Sequence, residues 1–379
     1  MRALGCTVLL GALTLLAAAP AGAATTGFVI GAGNRVDSYR AAQDLRVGWV
    51  RQFVGWSSAE PAKGDFNRAY LRGLRNEVDA FRRRHVRVEF VTVNTPRWAS
   101  RTPVIGPPAH ISDYTRFVAR LARAVPHVGA IEVWNEADDA VFWAHGPQPA
   151  AYARVLRAAY KAIKRANRHI TVLTTGMVAN DYDFLRKLYS HHAKGSFDAV
   201  AVHTDTACLT APPSFFYREP NGRIGRFAFT GYRALHALMR RHGDGRKKIW
   251  MTEIGWNTAS TAPFSCADGG RAGTKPAGVT ETQQAQMLTM AYRCLAADRY
   301  VKVAFWFDLQ DIGSSPSYAE HLGLMHLDGS PKPAYAAMRS LHGGRVAPKR
   351  HCGTRLLYKK PKHKHHCRVT PASSWPTAG

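Results

Sequence analysis

The sequence has few acidic residues for its size. Of 379 residues, 26 are Asp or Glu and 52 are Lys or Arg, which gives a formal net charge of +26 at pH 7. Such a charge favours contact with anionic cell-wall polymers or acidic polysaccharides. Nucleic acid is the rival partner, but no helix-turn-helix, zinc-finger or aromatic RNA-binding motif supports it, so we expect no nucleic acid. A solvated, arginine-rich surface is the simplest explanation for most of the charge.

Long apolar runs are absent after the N-terminus. Arg2 precedes an apolar stretch over residues 3–19, and Ala21-Gly22-Ala23 matches a small-residue cleavage site. This order predicts a signal peptide over residues 1–23 and a secreted, extracellular protein. A membrane anchor is the alternative, but the run is short and no basic flank follows it. We expect no transmembrane segment after signal removal.

Cysteine is scarce, and its count after the predicted cleavage is odd. The five remaining cysteines are Cys208, Cys266, Cys294, Cys352 and Cys367. Export would permit disulfides, and an odd number leaves at least one thiol unpaired. The preferred pairs are Cys208–Cys266, between two long loops, and Cys352–Cys367, near the C-terminus. Cys294 lies in a helical pattern and is expected to be a buried small apolar residue.

The C-terminal residues 345–379 lack the apolar side chains that a core needs. They hold nine Lys or Arg and no acid, with a Lys- and His-rich run at 359–366. This composition predicts a basic, disordered tail, which could contact anionic cell-wall polymers. Its histidines, with Cys352 and Cys367, match no structural zinc spacing. The sequence therefore predicts no cofactor and no metal.

Eight short apolar runs alternate with helical patterns between residues 24 and 344. The runs cover residues 28–33, 47–54, 86–93, 128–134, 170–175, 197–202, 248–253 and 301–307. In residues 113–125 the apolar side chains recur at helical spacing, and Ser112 is a plausible N-cap. Strands that alternate with helices indicate parallel βαβ units, and eight such units predict a (β/α)8 TIM barrel over residues 24–344.

A dinucleotide-binding fold is the alternative for the same alternation. Gly31 and Gly33 follow the first apolar run, as in the start of a dinucleotide fingerprint, but Val36 stands at the third glycine position. We therefore expect no nucleotide cofactor.

Two of the apolar runs lead into glutamates. Ala130-Ile131-Glu132-Val133-Trp134-Asn135-Glu136 ends in Glu136, and Ile249-Trp250-Met251-Thr252-Glu253 ends in Glu253. In an α/β barrel, the residues that perform chemistry lie where strands end and loops begin. Two carboxyl groups at that rim are what glycoside hydrolysis requires, one as acid and one as nucleophile or base.

The motifs Trp134-Asn135-Glu136 and Thr252-Glu253-Ile254-Gly255-Trp256 resemble the fourth- and seventh-strand motifs of clan A retaining glycoside hydrolases. Within that clan the chain is similar to the family 5 cellulase-like and family 39 groups. The resemblance extends over about residues 28–341. It implies a TIM barrel, with Glu136 as the general acid/base and Glu253 as the nucleophile.

The resemblance also implies substrate-binding residues at strand ends. Arg51, which ends the second strand, would lie beside the nucleophile, and Asn135 would bind the sugar 2-hydroxyl. His203, which ends the sixth strand, matches a clan histidine. The clan often has a tyrosine two positions later, where this sequence has Asp205, so the second partner of the nucleophile is left unassigned.

Tryptophans follow or finish several of the strands, and flat aromatic rings stack on sugars. The group is Trp56, Trp98, Trp143, Trp256 and Trp306. Trp306 resembles the clan tryptophan beneath the cleaved sugar, and Trp256 is a second expected contact. For any single one, core packing is the competing interpretation.

The sequence therefore predicts a secreted retaining β-glycosidase that cleaves O-glycosidic bonds in a polysaccharide or oligosaccharide. Two alternatives remain: a carbohydrate-binding pseudoenzyme on the same barrel, and a charge-driven protein that binds cell surfaces or nucleic acid. The loops at 209–229 and 257–279 would select the glycoside.

Overall fold

The structure is a computed structural model that describes residues 24–356, except 32, 103, 206–210, 260–264, 269–270, 275–277, 315–319 and 350–351. For residues 205, 265–268 and 271–274 only the backbone is described. The predicted signal peptide, Cys208, Cys367 and the histidine-rich run all lie outside the described residues.

Eight parallel strands form a closed barrel, which confirms the predicted (β/α)8 fold. The strands are β1 (Thr25–Ile30), β2 (Trp49–Gly55), β3 (Arg87–Val93), β4 (Ala130–Glu132), β5 (Thr171–Leu173), β6 (Ala199–Asp205), β7 (Lys248–Gly255) and β8 (Val301–Trp306). Each strand pairs with its neighbours in chain order, and β1 closes the barrel against β8. All eight predicted strands are present.

Nine α-helices connect and surround the strands in the described part of the chain. They are α1 (Ser38–Asp44), α2 (Trp56–Ala59), α3 (Arg68–Arg82), α4 (Ile111–Ala124), α5 (Pro149–Ala166), α6 (Tyr182–Ser190), α7 (Tyr232–Arg241), α8 (Glu281–Leu295) and α9 (Pro333–Ser340). None of these helices has both the length and the apolar composition that a bilayer crossing requires.

Helix α4 shows how the spacing of apolar residues in the sequence determines which helix face packs against the barrel. Tyr114, Phe117 and Leu121 lie on one face and are fully buried against the barrel. The helix begins earlier than predicted, because its N-cap is His110 and not Ser112, which lies inside the first turn.

The barrel strands have two different faces. The outward side chains join the large core beneath the helices. The inward side chains form a separate apolar cluster that includes Trp49 and Trp250, whose rings meet edge to face with centroids 4.7 Å apart. This apolar floor fills the lower barrel and leaves the upper end for polar residues.

The cysteine pairing differs from the prediction. Cys294 of α8 forms a disulfide with Cys352, with 5.6 Å between their Cα atoms. The predicted Cys352–Cys367 pair is therefore wrong, and Cys294 is not an unpaired apolar residue. The reason is spatial: both sulfur atoms are buried where the chain after α9 returns to α8. The predicted Cys208–Cys266 pair lies outside the described side chains.

The start of the predicted tail contacts the barrel domain. Arg355–Leu356 pairs in parallel with Phe215–Phe216, and the Arg233 guanidinium donates to the Cys352 carbonyl at 2.8 Å. Residues 352–356 are therefore anchored to the barrel domain, whereas residues 357–379 lie outside the described part.

Candidate active site

Glu136 and Glu253 meet at the carboxyl end of the barrel. One ligand atom from each of Glu136, His203 and Glu253 lies within 4.8 Å of the others. His203 stands between the two carboxylates, with its Nδ1 2.6 Å from Glu136 Oε1 and its Nε2 3.6 Å from Glu253 Oε1. The structure thus brings together both predicted glutamates and the predicted histidine.

A β-bulge in β7 turns Glu253 toward the cleft. Trp250 belongs to the inner cluster and Met251 to the outer core, so strict alternation would point Glu253 outward. The pairing register shifts between Met251 and Glu253 relative to β6, and a matching shift occurs against β8. The extra residue reverses the alternation. Glu253 consequently faces His203 and Arg51, whereas Ile254 and Trp256 pack outward.

Glu136 is placed by a tight turn after β4. Trp134 and Glu136 both have positive φ angles, 71° and 44°, which non-glycine residues adopt rarely. The Trp134 indole is buried and donates to the Phe142 carbonyl at 2.7 Å, which stabilises the turn. Local strain of this kind is concentrated at functional sites.

His203 fits because its neighbour has no side chain. A Cβ atom on Gly176 would lie 2.0 Å from His203 Nε2, so no other residue at position 176 leaves room for the ring. His203 is fully buried, whereas the Glu136 side chain is 15% exposed. The imidazole is therefore fixed beneath the more exposed carboxylate.

Arg51 is fully buried beside Glu253, as the resemblance implied. Its Nη1 donates to Glu253 Oε1 at 2.7 Å, and its Nη2 donates to Asn135 Oδ1 at 2.9 Å. Burial opposes charge on the guanidinium, but the negative charges of Glu132, Glu253 and Glu89 raise the pKa of Arg51 above its ordinary value. Arg51 is therefore a permanent cation that stabilises the ionised form of Glu253.

Sequence reasoning missed two further carboxyl groups below Arg51. Glu132 accepts two hydrogen bonds from Arg51, both at 3.3 Å, and Glu89 Oε1 lies 3.5 Å from Arg51 Nε. Both glutamates are fully buried. A signal was available, because each is an acid within an otherwise apolar strand, and such an acid needs a buried partner.

The predicted tryptophan contacts are not at the cleft. Trp256 and Trp306 are fully buried in the outer core, and their indole nitrogens donate to the carbonyls of Ala211 and Leu322. Neither ring has a surface that a sugar could contact. The reason is strand phase: Val303 and Phe305 point inward, so Trp306 points outward.

The other three tryptophans also pack in the protein interior. Trp56 and Trp143 are fully buried, and partly buried Trp98 packs against Trp56 with ring centroids 5.6 Å apart. Two phenylalanines take the inward positions instead. Phe53 and Phe307 are partly buried against the inner cluster, and the Arg51 guanidinium lies 5.0 Å from the Phe53 ring centroid.

Two aspartates near the glutamates have perturbed acidity. Burial raises the pKa of Asp138 well above its usual range, and the charges of Asp181 and Glu136 add to the effect. Burial likewise raises the pKa of Asp308, which accepts the Gly31 amide hydrogen at 3.1 Å. A Cβ on Gly31 would lie 1.8 Å from Asp308 Oδ2. The glycine that suggested a dinucleotide fingerprint thus makes room for the Asp308 carboxyl group.

The carboxylates and imidazole of Glu136, His203 and Glu253 are donors that a divalent cation could use. The Arg51 guanidinium is already 2.7 Å from Glu253, and its positive charge disfavours a second cation. The charge arrangement therefore fits acid–base and nucleophilic chemistry better than metal binding.

The described fold is similar to that of several solved glycoside hydrolases. A family 39 glycoside hydrolase from the gut symbiont Bacteroides cellulosilyticus WH2 is similar over 85% of this chain, with a TM-score of 0.68 and 20% identity. This chain spans only 64% of the length of that enzyme. A GH5_18 structure from Streptomyces cattleya, in complex with GlcNAc, matches 87% of this chain and 83% of its own, with a TM-score of 0.63 and 19% identity.

A monomeric β-xylosidase from Caulobacter crescentus CB15 is similar as well, with a TM-score of 0.60 and 16% identity over 84% of this chain and 69% of its own. No protein-family model and no curated protein sequence matches the chain. At these identities the likeness establishes the fold, and the chemistry must be argued from the site.

Proposed function

We propose that the protein is a retaining β-glycosidase in which Glu253 attacks the anomeric carbon and Glu136 protonates the leaving oxygen. The supporting observation is that two carboxylates face one cleft but have different partners. Glu253 has the buried cation Arg51 at 2.7 Å, whereas Glu136 has His203 at 2.6 Å. A nucleophile must stay ionised, and a general acid must be able to hold a proton.

The separation of the two groups supports retention of stereochemistry. Retaining enzymes place their carboxyl groups about 5–5.5 Å apart, and inverting enzymes need roughly 6.5–9.5 Å to admit a water molecule. The ligand atoms of Glu136 and Glu253 lie within 4.8 Å. This gap favours direct attack by Glu253, followed by water that Glu136 activates.

Asn135 is suited to bind the sugar hydroxyl next to the anomeric carbon. Its Oδ1 accepts from Arg51, which fixes the amide so that the Nδ2 donor is left for another partner. Such a contact strengthens as the oxocarbenium-like transition state forms. Arg51 thus orients Asn135 and stabilises Glu253 at the same time.

The wider setting of this activity is also a proposal. Residues 1–23 support export, and the basic residues 357–379 support retention on anionic cell-wall polymers. The similar structures include a β-xylosidase and an exo-β-1,4-mannosidase, so β-xylosides and β-mannosides are the first substrates to test, followed by β-glucosides.

The test is an activity screen of the purified chain on aryl β-xyloside, β-mannoside and β-glucoside, followed by NMR of the first product. We expect at least one to be cleaved with the β-configuration retained. An α-configured first product would contradict the mechanism. Binding of sugars with no turnover on this panel or on natural polysaccharides would indicate the carbohydrate-binding alternative. Binding that collapses at high salt without turnover would indicate the charge-driven one.

A further inference from the structure

Three carboxyl groups surround one guanidinium at the base of the cleft. Arg51 lies within 3.5 Å of oxygen atoms from Glu89, Glu132 and Glu253, and no more than a small part of any of these side chains is exposed. A single positive charge cannot compensate three buried negative charges. The cluster must therefore hold a proton.

The hydrogen bonds distinguish Glu132 from Glu89. The two oxygens of Glu132 accept from Nε and Nη2 of Arg51, and one of them also accepts the Gly176 amide hydrogen at 2.8 Å. This set of donors suits an ionised carboxylate. No donor group of the described residues is hydrogen-bonded to either oxygen of Glu89, whereas a side-chain hydrogen bond with Glu132 favours the protonated form of Glu89 and raises its pKa.

Strand register explains why these groups meet. Arg51 of β2 is directly opposite Glu89 of β3, and Glu132 of β4 is opposite Val91, two residues further along β3. The three side chains therefore share the inner face of neighbouring strands. They form a charged layer between the apolar floor and the cleft, with no room for bulk water.

From this geometry we propose that Glu89 and Glu132 are positioning residues that share one proton and hold the Arg51 guanidinium against Glu253. Glu132 is the ionised member and orients Arg51 by two hydrogen bonds. Glu89 is the neutral member, so that it does not compete with Glu253 for the positive charge. The role of the pair in catalysis rests on the proposed function, whereas the shared proton does not.

The acidity of Glu89 agrees with this assignment. Burial, and then the charge of Glu132, raise the pKa of Glu89 well above its ordinary value, against the opposing effect of Arg51. The other groups that face the cluster are Glu253, which also raises it, and His203, whose Nε2 lies 3.5 Å from Arg51 Nη2. Asn135, the remaining neighbour of Arg51, does not titrate.

The sign of the stability effect follows from linkage. The folded protein keeps a proton on Glu89 at pH values where the unfolded chain has released it. The contribution of Glu89 to the free energy of unfolding is therefore fully present at pH values below the ordinary glutamate pKa of the unfolded chain. It is lost as the pH rises toward the raised pKa of Glu89 in the folded protein. The glutamine of the Glu89→Gln variant is neutral at every pH, so the variant does not lose stability in this way. The difference between its Tm and that of wild type should therefore increase as pH rises.

The first experiment needs no substrate. Thermal unfolding of wild type, E89Q and E60Q is measured across the range from acidic to mildly alkaline pH. Glu60 is the matched control, because it is fully buried and pairs at 2.9 Å with Arg116 and not with Arg51. We expect the upward trend in relative Tm only for E89Q. Infrared spectra at neutral pH should show a protonated carboxyl band that E89Q lacks.

The second experiment uses the aryl glycoside that the wild type cleaves best. E132Q should lower kcat by roughly 10²-fold with little change in KM, because a misplaced guanidinium affects the transition state most. E89Q should lose less activity than E132Q at neutral pH, because glutamine reproduces the neutral form of Glu89. At alkaline pH its kcat/KM should decline less than that of wild type. E132D, which restores the charge, should recover part of the loss.

The outcomes separate the two proposals. If no glycoside is cleaved but E89Q shows the Tm trend and lost infrared band, the proposed function fails and the shared proton stands. If E89Q shows no Tm trend and no lost band, the shared proton is refuted. If E132Q keeps full activity, or E89Q is as inactive as E132Q at neutral pH, the positioning role is refuted. E89Q keeps the test decisive even if E132Q does not fold.

Discussion

Glu253 and Glu136 face one cleft, and their surroundings differ mainly in charge. Glu253 is 6% exposed and contacts a fixed cation from below. The Glu136 side chain is 15% exposed, follows a turn with positive φ angles and lies 2.6 Å from His203 Nδ1. In the proposed mechanism the same side chain is a stable anion after one strand and a proton carrier after another, because the neighbours differ.

The largest expected effect comes from Glu253→Ala, which removes the attacking group. We expect kcat/KM to fall by about 10⁴-fold or more for every substrate. Azide should then attack from the vacated side and give the α-glycosyl azide. Product configuration by NMR is the measurement. A β-azide from this variant would mean that the two roles are reversed.

Glu136→Ala should cost about 10²–10⁴-fold on substrates with poor leaving groups, which need protonation. An aryl glycoside with a good leaving group should still form the glycosyl-enzyme and then hydrolyse slowly, because the base is missing. Azide should restore turnover and give the β-glycosyl azide. Equal losses on good and poor leaving groups would remove the distinction between the two glutamates.

A smaller effect is expected for His203→Ala, which removes the group between the carboxylates. A hydrogen bond to a charged group contributes about 1.5–3 kcal/mol, so kcat should fall roughly 10- to 100-fold. The pH dependence of kcat/KM should also shift, because Glu136 loses its partner at 2.6 Å. An unchanged pH profile with reduced Tm would show that His203 only fills space beside Gly176.

Much of this arrangement could be predicted from the sequence. Each barrel strand is a short apolar run, and that pattern places Glu136 and Glu253 near the carboxyl ends of β4 and β7. Arg51 was wrongly predicted to end the second strand, because β2 runs over Trp49–Gly55 and continues beyond it. The place of Arg51 beside Glu253 was implied by the resemblance and not by the pattern. The direction of Glu253 could not be predicted, since it depends on a bulge in β7 that no residue type marks. The Cys294–Cys352 pair was equally hidden, because chain order says little about which buried sulfurs meet.

The charged layer and the aromatic contacts were missed for a different reason. Glu89 and Glu132 lie in the same inward phase as Arg51, and counting alternate residues along three neighbouring strands would have placed them together. The same counting along β8 separates Phe307 from Trp306. The resemblance to a motif favoured Trp306 as the sugar contact. The alternation of side chains along the strand, which decides which ring faces the cleft, favours Phe307 instead.

The smallest predicted effect on catalysis comes from Phe307 and Trp306, and it tests which of these two neighbouring rings faces the cleft. Phe307 is partly buried beside the inner cluster, and Trp306 is fully buried with its indole bonded to the Leu322 carbonyl at 2.9 Å. Phe307→Ala should raise KM about 3- to 10-fold, because an aromatic contact of roughly 0.5–1.5 kcal/mol is lost, with a small change in Tm. Trp306→Ala should instead lower the free energy of unfolding by about 3–5 kcal/mol, because it leaves a cavity in the outer core. Trp306→Phe, which keeps most of the volume, should recover part of that stability and leave KM unchanged. A raised KM in Trp306→Phe, with none in Phe307→Ala, would return the sugar contact to Trp306.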